Sequence, residues 1–142
     1  MTKTPLILAA VVTFIFTAVL FAGEPPTSHL GTWQLISTKY GDAKEFSDAP
    51  KDVRHIKILT KDHFIWVIYD EKTKLASTSM GGTYTFHGGK YTETVDYFFP
   101  EAMGGYLGHK QEFTLKIDGD KFIQDGTLSD GTKIAEVWQR VK

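Results

Sequence analysis

Two short stretches near opposite ends of the chain decide the fold: Gly31-Thr32-Trp33-Gln34-Leu35 and Glu136-Val137-Trp138-Gln139-Arg140. Each combines a tryptophan with residues that favour extended backbone. In a closed antiparallel barrel the first and last strands pair, and these two stretches have the character of such a seam. We expect the indole of Trp33 to fill one end of the barrel, with the guanidinium of Arg140 stacked over it.

Between these stretches, apolar and β-branched runs alternate with turn sequences. Lys61-Asp62, Gly88-Gly89, Asp118-Gly119-Asp120 and Ser129-Asp130-Gly131 are typical of tight hairpin connections. We predict strands over residues 33–38, 53–60, 63–69, 75–86, 91–98, 109–117, 121–128 and 132–141. The predicted fold class is all-β, an eight-stranded up-and-down antiparallel barrel, because closure removes the exposed edges of such a sheet.

Three segments depart from this regular alternation. Gly81-Gly82 interrupts the fourth predicted strand and indicates a bulge or sharp bend. Residues 41–52 are polar and predict a long loop with one helical turn near residues 44–46. Residues 99–108 contain Pro100 and several glycines, and they predict an irregular loop at one end of the barrel.

The N-terminal residues differ in composition from the rest of the 142-residue chain. Lys3 is followed by an apolar run over residues 6–22 that ends in small residues, a pattern typical of a secretory signal peptide. A retained membrane anchor is the alternative, since the run is at the lower limit of spanning length. We therefore predict a signal peptide over 1–23, a linker over 24–29 and a barrel domain over 30–142. The protein is expected to be secreted or periplasmic, without stable membrane insertion after cleavage.

The composition excludes several kinds of chemistry. The chain has no cysteine, which excludes disulfides, thiolate metal sites, a lipid-modified cysteine and a cysteine nucleophile. Lys3 is the only charged residue among residues 1–23, so the remainder carries 15 basic and 17 acidic side chains. With no basic stripe or run, nucleic acid is not an expected partner.

The chain resembles the lipocalin-like (calycin) domains, and in particular the small secreted bacterial lipocalin-like proteins of unknown function. The resemblance rests on three segments, Gly31-Thr32-Trp33, Gly82-Thr83-Tyr84 with Tyr91-Thr92-Glu93, and residues 126–132 followed by 136–140. It extends over residues 30–142 and implies a barrel with one closed end and an open cavity. The chain lacks the lipocalin disulfide, shows no sequence signal for the C-terminal helix and is short after removal of the expected signal peptide, which argues against the large cup of a transport lipocalin.

Side-chain alternation identifies which residues face the interior of each strand. In the sixth predicted strand, His109 and Gln111 share the apolar face, while Lys110 lies on the opposite face with Glu112 and Lys116. In the fifth, Tyr97 is expected to share the face of Glu93. The predicted cavity-lining residues are Tyr84, Tyr91, Glu93, His109, Gln111, Gln124, Met103 and Tyr106. The predicted closed-end residues are Trp33, Glu136, Trp138 and Arg140.

The predicted interior carries charge that must be compensated. Glu93, Glu136 and Arg140 all face inward, which suggests an ion-pair network, because buried charges are costly unless they are paired. One interpretation is that Arg140 and one glutamate only brace the closed end. The other is that Glu93, His109 and the tyrosines orient a polar group of a ligand.

Three functional hypotheses follow. The first is an exported, non-enzymatic barrel that binds a small hydrophobic or amphipathic molecule, which enters beside Met103 and Tyr106. The second is an isomerase or hydratase of the same fold that uses Glu93 and His109 as acid and base. The third is a protein-binding or inhibitor module that acts through rim loops over a filled interior. The sequence lacks a nucleophile elbow and paired-histidine spacing, so we predict no catalytic or metal residues and no cofactor.

Overall fold

The computed structural model describes residues 29–142, which form a closed antiparallel barrel. The strands are β1 Gly31–Tyr40, β2 Ser47–Asp48, β3 Val53–Leu59, β4 His63–Asp70, β5 Ala76–His87, β6 Lys90–Phe99, β7 Lys110–Asp118, β8 Lys121–Thr127 and β9 Lys133–Arg140. Each strand from β3 to β8 pairs with the next in sequence, and β1 pairs with both β3 and β9. The predicted all-β barrel of eight strands is confirmed, and β2 is one additional short strand beside β1. The predicted signal peptide, and the linker except for His29, lie outside the described residues.

The seam between β1 and β9 has the predicted partners. Trp33 pairs with Arg140 and Leu35 pairs with Trp138, and the register shifts once between Leu35 and Ser37. A shift of this kind increases local twist, which helps a small sheet to close on itself. The two tryptophan-containing stretches at opposite ends of the sequence are therefore the strands that close the barrel.

Glycines provide the tight turn and the close approach that the barrel needs. Gly88 and Gly89 join β5 to β6 with φ values of 57° and 82°, as a two-residue hairpin of the I′ type requires. The predicted irregularity at Gly81-Gly82 is confirmed as a register shift against β6. A Cβ atom at Gly82 would overlap the carbonyl oxygen of Thr94, so only glycine fits at this crossing.

The two predicted loops differ from expectation. Residues 44–46 form no helical turn; instead Ser47 and Asp48 pair with Thr38 and Ser37 as β2. Residues 99–108 are not wholly irregular, since Glu101–Tyr106 forms a 3-10 helix, which we call the mouth helix. Its turns are closed by backbone hydrogen bonds such as that from Met103 N–H to the Pro100 carbonyl, 2.9 Å. Glycine and proline content alone gave no signal for this short helix, which has no apolar periodicity.

The closed end of the barrel is packed with aromatic rings. Trp33 is completely buried and lies 5.4 Å from the ring of Phe122, which is also completely buried. The guanidinium of Arg140 lies 4.0 Å from the Trp33 ring, and it also donates a hydrogen bond to the Leu30 carbonyl. The predicted stacking of Arg140 over Trp33 is thus present in the structure.

The segment before β1 covers this closed end. The Trp33 indole N–H donates to the His29 carbonyl at 2.9 Å, and the His29 ring contacts Tyr84 and Phe86. The Tyr84 hydroxyl donates its proton to the Thr60 carbonyl, so it accepts from His29 Nε2. Within the described part of the chain, residues 29–142, His29 Nδ1 is then a buried acceptor without a partner, and burial lowers the pKa of this imidazole. Among residues 29–142, no helix is long and apolar enough to cross a membrane.

Candidate functional site

A cavity of about 240 Å³ lies inside the barrel, between the buried aromatic rings of the closed end and the opposite end. It extends toward the end of the barrel where β1 ends at Tyr40 and where the mouth helix connects β6 to β7. We call this end the mouth. A cavity of about 150 Å³ is sufficient to hold a benzene molecule, so this one suits a ligand of about ten non-hydrogen atoms.

Most of the cavity surface is apolar. The walls come from every long strand of the barrel, because alternate side chains of each strand point inward. The apolar lining residues are Leu35, Trp66, Ile68, Met80, Met103, Phe113, Leu128, Ile134 and Trp138. Such a surface favours a ligand with a substantial apolar or aromatic part.

The bottom of the cavity is polar, and we call its four residues, Lys57, Glu93, Gln124 and Glu136, the polar floor. The Lys57 ammonium donates to Glu93 Oε1 at 2.9 Å and to Gln124 Oε1 at 3.1 Å. The Gln124 side-chain amide then donates to Glu136 Oε2 at 2.8 Å. One continuous hydrogen-bond network therefore crosses the barrel interior from β6 through β3 and β8 to β9.

Aromatic residues support this network from below and from one side. The Tyr91 hydroxyl donates to Glu93 Oε1 at 2.7 Å, and the Trp138 indole N–H donates to Glu136 Oε2 at 3.0 Å. The Lys57 ammonium also lies 5.0 Å from the Trp138 ring and 5.4 Å from the Phe122 ring, within cation–π range. Burial and the adjacent Glu93 carboxylate raise the pKa of Tyr91, which keeps its hydroxyl protonated as a donor.

Glu136 differs from Glu93 in its electrostatic environment. Glu93 contacts the Lys57 ammonium directly, whereas Glu136 reaches it only through the Gln124 amide. Burial raises the pKa of Glu136, and the charge of Lys57 and the Trp138 hydrogen bond only partly oppose this effect. The floor thus combines one carboxyl group in direct contact with a cation and another whose pKa is raised by burial.

The mouth is closed in part by the mouth helix. Met103 and Tyr106 both line the cavity, and the Tyr106 hydroxyl donates to Asp130 Oδ2 at 2.7 Å. Burial and this hydrogen bond raise the pKa of Tyr106. The bond fastens the helix to the turn that connects β8 to β9, so Tyr106 restricts the opening over the cavity.

Gln111 holds the same turn from inside the barrel. Its side-chain oxygen accepts a hydrogen bond from the Ser129 backbone N–H at 2.7 Å, and its nitrogen donates to the Ser129 hydroxyl at 3.0 Å. Only 2% of Gln111 is exposed. This paired contact positions the turn that carries Asp130, the partner of Tyr106.

The structure brings five of the eight predicted cavity residues to the cavity. Glu93, Gln111, Gln124, Met103 and Tyr106 line it. Tyr84 and Tyr91 face the interior, but they lie below the floor, within the aromatic packing, and do not line the cavity. Tyr91 nevertheless acts on the site through its hydrogen bond to Glu93.

The prediction that His109 faces the cavity is wrong. His109 is exposed and precedes the first residue of β7, Lys110. Its backbone N–H bonds to the Tyr106 carbonyl after Gly108, whose φ is 75°, so the chain is still turning there. Strand alternation therefore does not extend back to His109, and an acid–base pair of Glu93 with His109 has no support.

The prediction for Tyr97 is also wrong, and the assignment of Glu136 to the closed end needs correction. Tyr97 is 49% exposed, because the register shift opposite Gly81-Gly82 reverses the alternation of β6 after Val95.

Glu136 and Trp138 share the inward face with Arg140 as predicted. Glu136, however, belongs to the polar floor, and Trp138 lies between the floor and the closed end.

The buried cation of the network is Lys57, not the predicted Arg140. Arg140 lies at the closed end, where it pairs with Asp120 at 3.6 Å. The partner of Glu93 is Lys57, of which only 2% is exposed. In β3, Ile56 and Ile58 alternate with the charged residue Lys57, a pattern that favours the isoleucines as the inward residues; Ile58, however, is 40% exposed, while Lys57 and Leu59 face inward. The signal for Lys57 was its alternation with His55 and Leu59, which the two isoleucines obscured.

His55 is another cavity residue that the sequence did not identify. It shares the inward face of β3 with Lys57 and lines the cavity nearer the mouth. Burial lowers the pKa of His55, which favours a neutral imidazole. Among residues 29–142, no group of three or more His, Asp or Glu side chains is placed to hold a metal ion.

Comparison with known proteins assigns the chain to a family. Residues 28–142 match the family described as a domain of unknown function, DUF4488. The chain belongs to this family. Among curated protein sequences, none matches this DUF4488 chain.

Solved structures show the same fold at low sequence identity. A lipocalin-like protein from Bacteroides uniformis has a TM-score of 0.55 and 15% identity, over 80% of the DUF4488 chain and 99% of its own. An uncharacterized protein from Bacteroides eggerthii has a TM-score of 0.54 and 14% identity, over 79% and 98% of the two chains. A redesigned β-barrel has a TM-score of 0.52 and 19% identity, over 81% and 93%. The predicted resemblance to lipocalin-like domains is thus confirmed at the level of the fold.

Proposed function

We propose that this protein binds a compact, mainly apolar small molecule inside the barrel, without catalysis. The observation that carries the proposal is the cavity of about 240 Å³, which has apolar walls, a hydrogen-bonded polar floor and one mouth. A folded core normally leaves few voids, and a space of this size lined by large side chains reduces stability. Ligand binding gives a reason for a barrel to keep it.

The other two hypotheses lack comparable support. The enzyme hypothesis required Glu93 and His109 to share the cavity, and they do not. The protein-binding hypothesis required a filled interior, which the cavity contradicts. Ligand binding, in contrast, requires only apolar walls and a polar group that can orient the ligand, and the cavity contains both.

Filling the cavity is the direct test. Ile68→Trp enlarges a half-buried side chain in the cavity wall and should weaken binding of 2-naphthol, a compact fluorescent alcohol, by at least about tenfold, equivalent to 1.4 kcal/mol. Ile58→Trp is the matched control, since Ile58 is 40% exposed on the outer surface of the barrel. Equal affinity of both folded variants and the unaltered protein would place the ligand outside the cavity.

The mouth is tested separately. Replacing residues 101–107 by a two-residue turn removes Met103 and Tyr106 from the cavity. Because the mouth helix restricts the opening, we expect 2-naphthol to associate and dissociate faster, with weaker affinity. Unchanged rates in a stably folded variant would show that this segment is only a connection.

We also infer that the protein is exported, on the basis of the signal-peptide pattern over residues 1–23. Mature protein from the periplasm or the medium should begin near residue 23 or 24. N-terminal sequencing that starts at Met1 or Thr2 would contradict this inference. Native mass spectrometry of the same material would detect a molecule that copurifies with the barrel.

A further inference from the structure

We propose that the ligand is a compact apolar amine whose ammonium group pairs with Glu136. This inference rests on the proposed function and adds the chemistry of the polar end of the ligand. It follows from the charge of the polar floor, from the oxygen atoms that its hydrogen bonds leave open, and from the aromatic rings around them.

The polar floor contains more acid than base. Glu93 and Glu136 are both carboxyl groups, whereas Lys57 is the one cation of the network. The Lys57 ammonium is 2.9 Å from Glu93, so this pair is internally compensated. Glu136, when ionised, has no cation in direct contact within the floor. A second cation from a ligand would neutralise the cluster, as buried charges require.

The hydrogen bonds leave one oxygen of Glu136 for a ligand. Both bonds that this carboxyl group accepts, from Gln124 and from Trp138, end on Oε2. Within residues 29–142, no hydrogen bond ends on Oε1 of Glu136. Glu136 lines the cavity, so a donor on a bound molecule can reach this group. Lys57, in contrast, already donates to Glu93 and Gln124, which disfavours it as the partner of an anionic ligand.

The surrounding walls suit a cation attached to an apolar body. Trp66, Phe113 and Trp138 line the same cavity. An ammonium group near the face of a tryptophan gains cation–π attraction, and Trp138 already has this contact with Lys57 at 5.0 Å. The walls nearer the mouth, at Leu128 and Ile134, would cover the apolar part of the molecule.

Amine binding should be coupled to proton release. Burial raises the pKa of Glu136, so this carboxyl group stays protonated to a higher pH than an exposed glutamate does. When an ammonium ligand binds, the carboxyl group ionises, its proton passes to solvent and the new ion pair has no net charge. Affinity should therefore rise as pH increases through the raised pKa. Titratable groups that face this site from the packed elements are Lys57 and His55 on β3, Tyr91 and Glu93 on β6, Tyr40 on β1 and Tyr106 in the mouth helix.

His55 is the group whose titration would resemble this effect. A protonated His55 would repel an ammonium ligand at low pH and would give the same direction of change. The variant His55→Gln removes this contribution while keeping a polar side chain of similar size. A pH dependence that persists in His55→Gln belongs to the polar floor.

The experiment compares four ligands of similar size with the mature barrel by calorimetry: 2-phenylethylamine, 2-phenylethanol, propylbenzene and phenylacetate. At pH 8 the amine should bind at least about tenfold more tightly than the alcohol, a difference of 1.4 kcal/mol. Phenylacetate should bind most weakly. If the alcohol or the hydrocarbon binds as tightly as the amine, this inference fails while the proposed function stands. If none of the four binds, both fail.

A substitution localises the preference. Glu136→Gln keeps an oxygen that can accept from Trp138 and Gln124 and removes the charge, so it should lower affinity for 2-phenylethylamine at least about tenfold more than affinity for 2-phenylethanol, which abolishes the amine preference. Glu112→Gln is the matched control, because Glu112 is exposed on the outer face of β7 and pairs with Lys90. An amine preference retained in folded Glu136→Gln would overturn the assignment to Glu136. If that variant does not fold, the ligand comparison on the unaltered protein still decides the question.

Discussion

The closed end and the cavity use the same strands for different purposes. At the closed end, Trp33, Phe122 and Tyr91 are completely buried and pack ring against ring. Farther along the same strands, the inward residues are Lys57, Glu93, Gln124 and Glu136, and space remains between the walls. One half of the barrel therefore has the packing of an ordinary protein core. The other half is less tightly packed and contains polar side chains and the cavity. The contrast indicates where stability originates and where binding should occur.

The largest expected effect concerns the closed end. Trp33→Ala removes a completely buried indole, its hydrogen bond to His29 and its contact with Arg140, and should lower the free energy of unfolding by about 3–5 kcal/mol. Urea denaturation measures the change. Ile58→Ala, at an exposed position, is the control. A midpoint that Trp33→Ala leaves unchanged would show that the closed end is not the source of stability.

The second effect concerns the polar floor. Lys57→Met fills a similar volume but leaves Glu93 buried without its cation, and should lower the free energy of unfolding by about 3 kcal/mol. The double variant Lys57→Met/Glu93→Gln should regain most of this loss, because no uncompensated charge remains. If the double variant is as unstable as the single one, packing and not charge determines the role of Lys57.

A smaller, pH-dependent effect is expected from Glu136. The folded-state pKa of this carboxyl group is raised above its unfolded value, so ionisation opposes folding. The group has no such cost at pH values below its unfolded pKa, and the cost grows as pH rises through the folded pKa. Glu136→Gln should therefore stabilise the protein at neutral pH and lose this advantage at about pH 4. Thermal unfolding across pH tests the sign: stabilisation greatest in acid would contradict it.

The smallest effect is expected at His109, outside both regions. His109→Ala removes an exposed side chain that does not line the cavity, so stability should change by no more than about 0.5 kcal/mol. Affinity for 2-naphthol should also stay the same. Loss of binding in this variant would return His109 to the site and reopen the hypothesis that it acts with Glu93.

Residue alternation predicted the barrel well because it is a local property of extended backbone. The seam residues Trp33 and Arg140 and the inward positions of Glu93, Gln111 and Gln124 followed from it directly. It failed at Tyr97 and His109, where a bulge and a turn reset the alternation. The positions of this bulge and this turn are not visible in the sequence of one strand, because they depend on how neighbouring strands cross.

The polar floor was harder to predict for a different reason. An apolar residue at an inward position is the usual case, so Ile56 and Ile58 obscured the inward face of β3. Lys57 faces inward because Glu93 and Gln124, from distant parts of the chain, provide its partners there. The compensation of a buried charge is a property of the assembled barrel, and one strand alone does not reveal it.

The anchoring of the chain beside Trp33 has a consequence for how the protein can be attached to a surface. His29 and Leu30 are held at the closed end by Trp33 and Arg140, and Lys142 pairs with Asp120 at the same end. Residues 29 and 142 are therefore both remote from the mouth. A tether placed at either position would orient the barrel with its opening toward the solution, so immobilised protein should keep full access to small molecules.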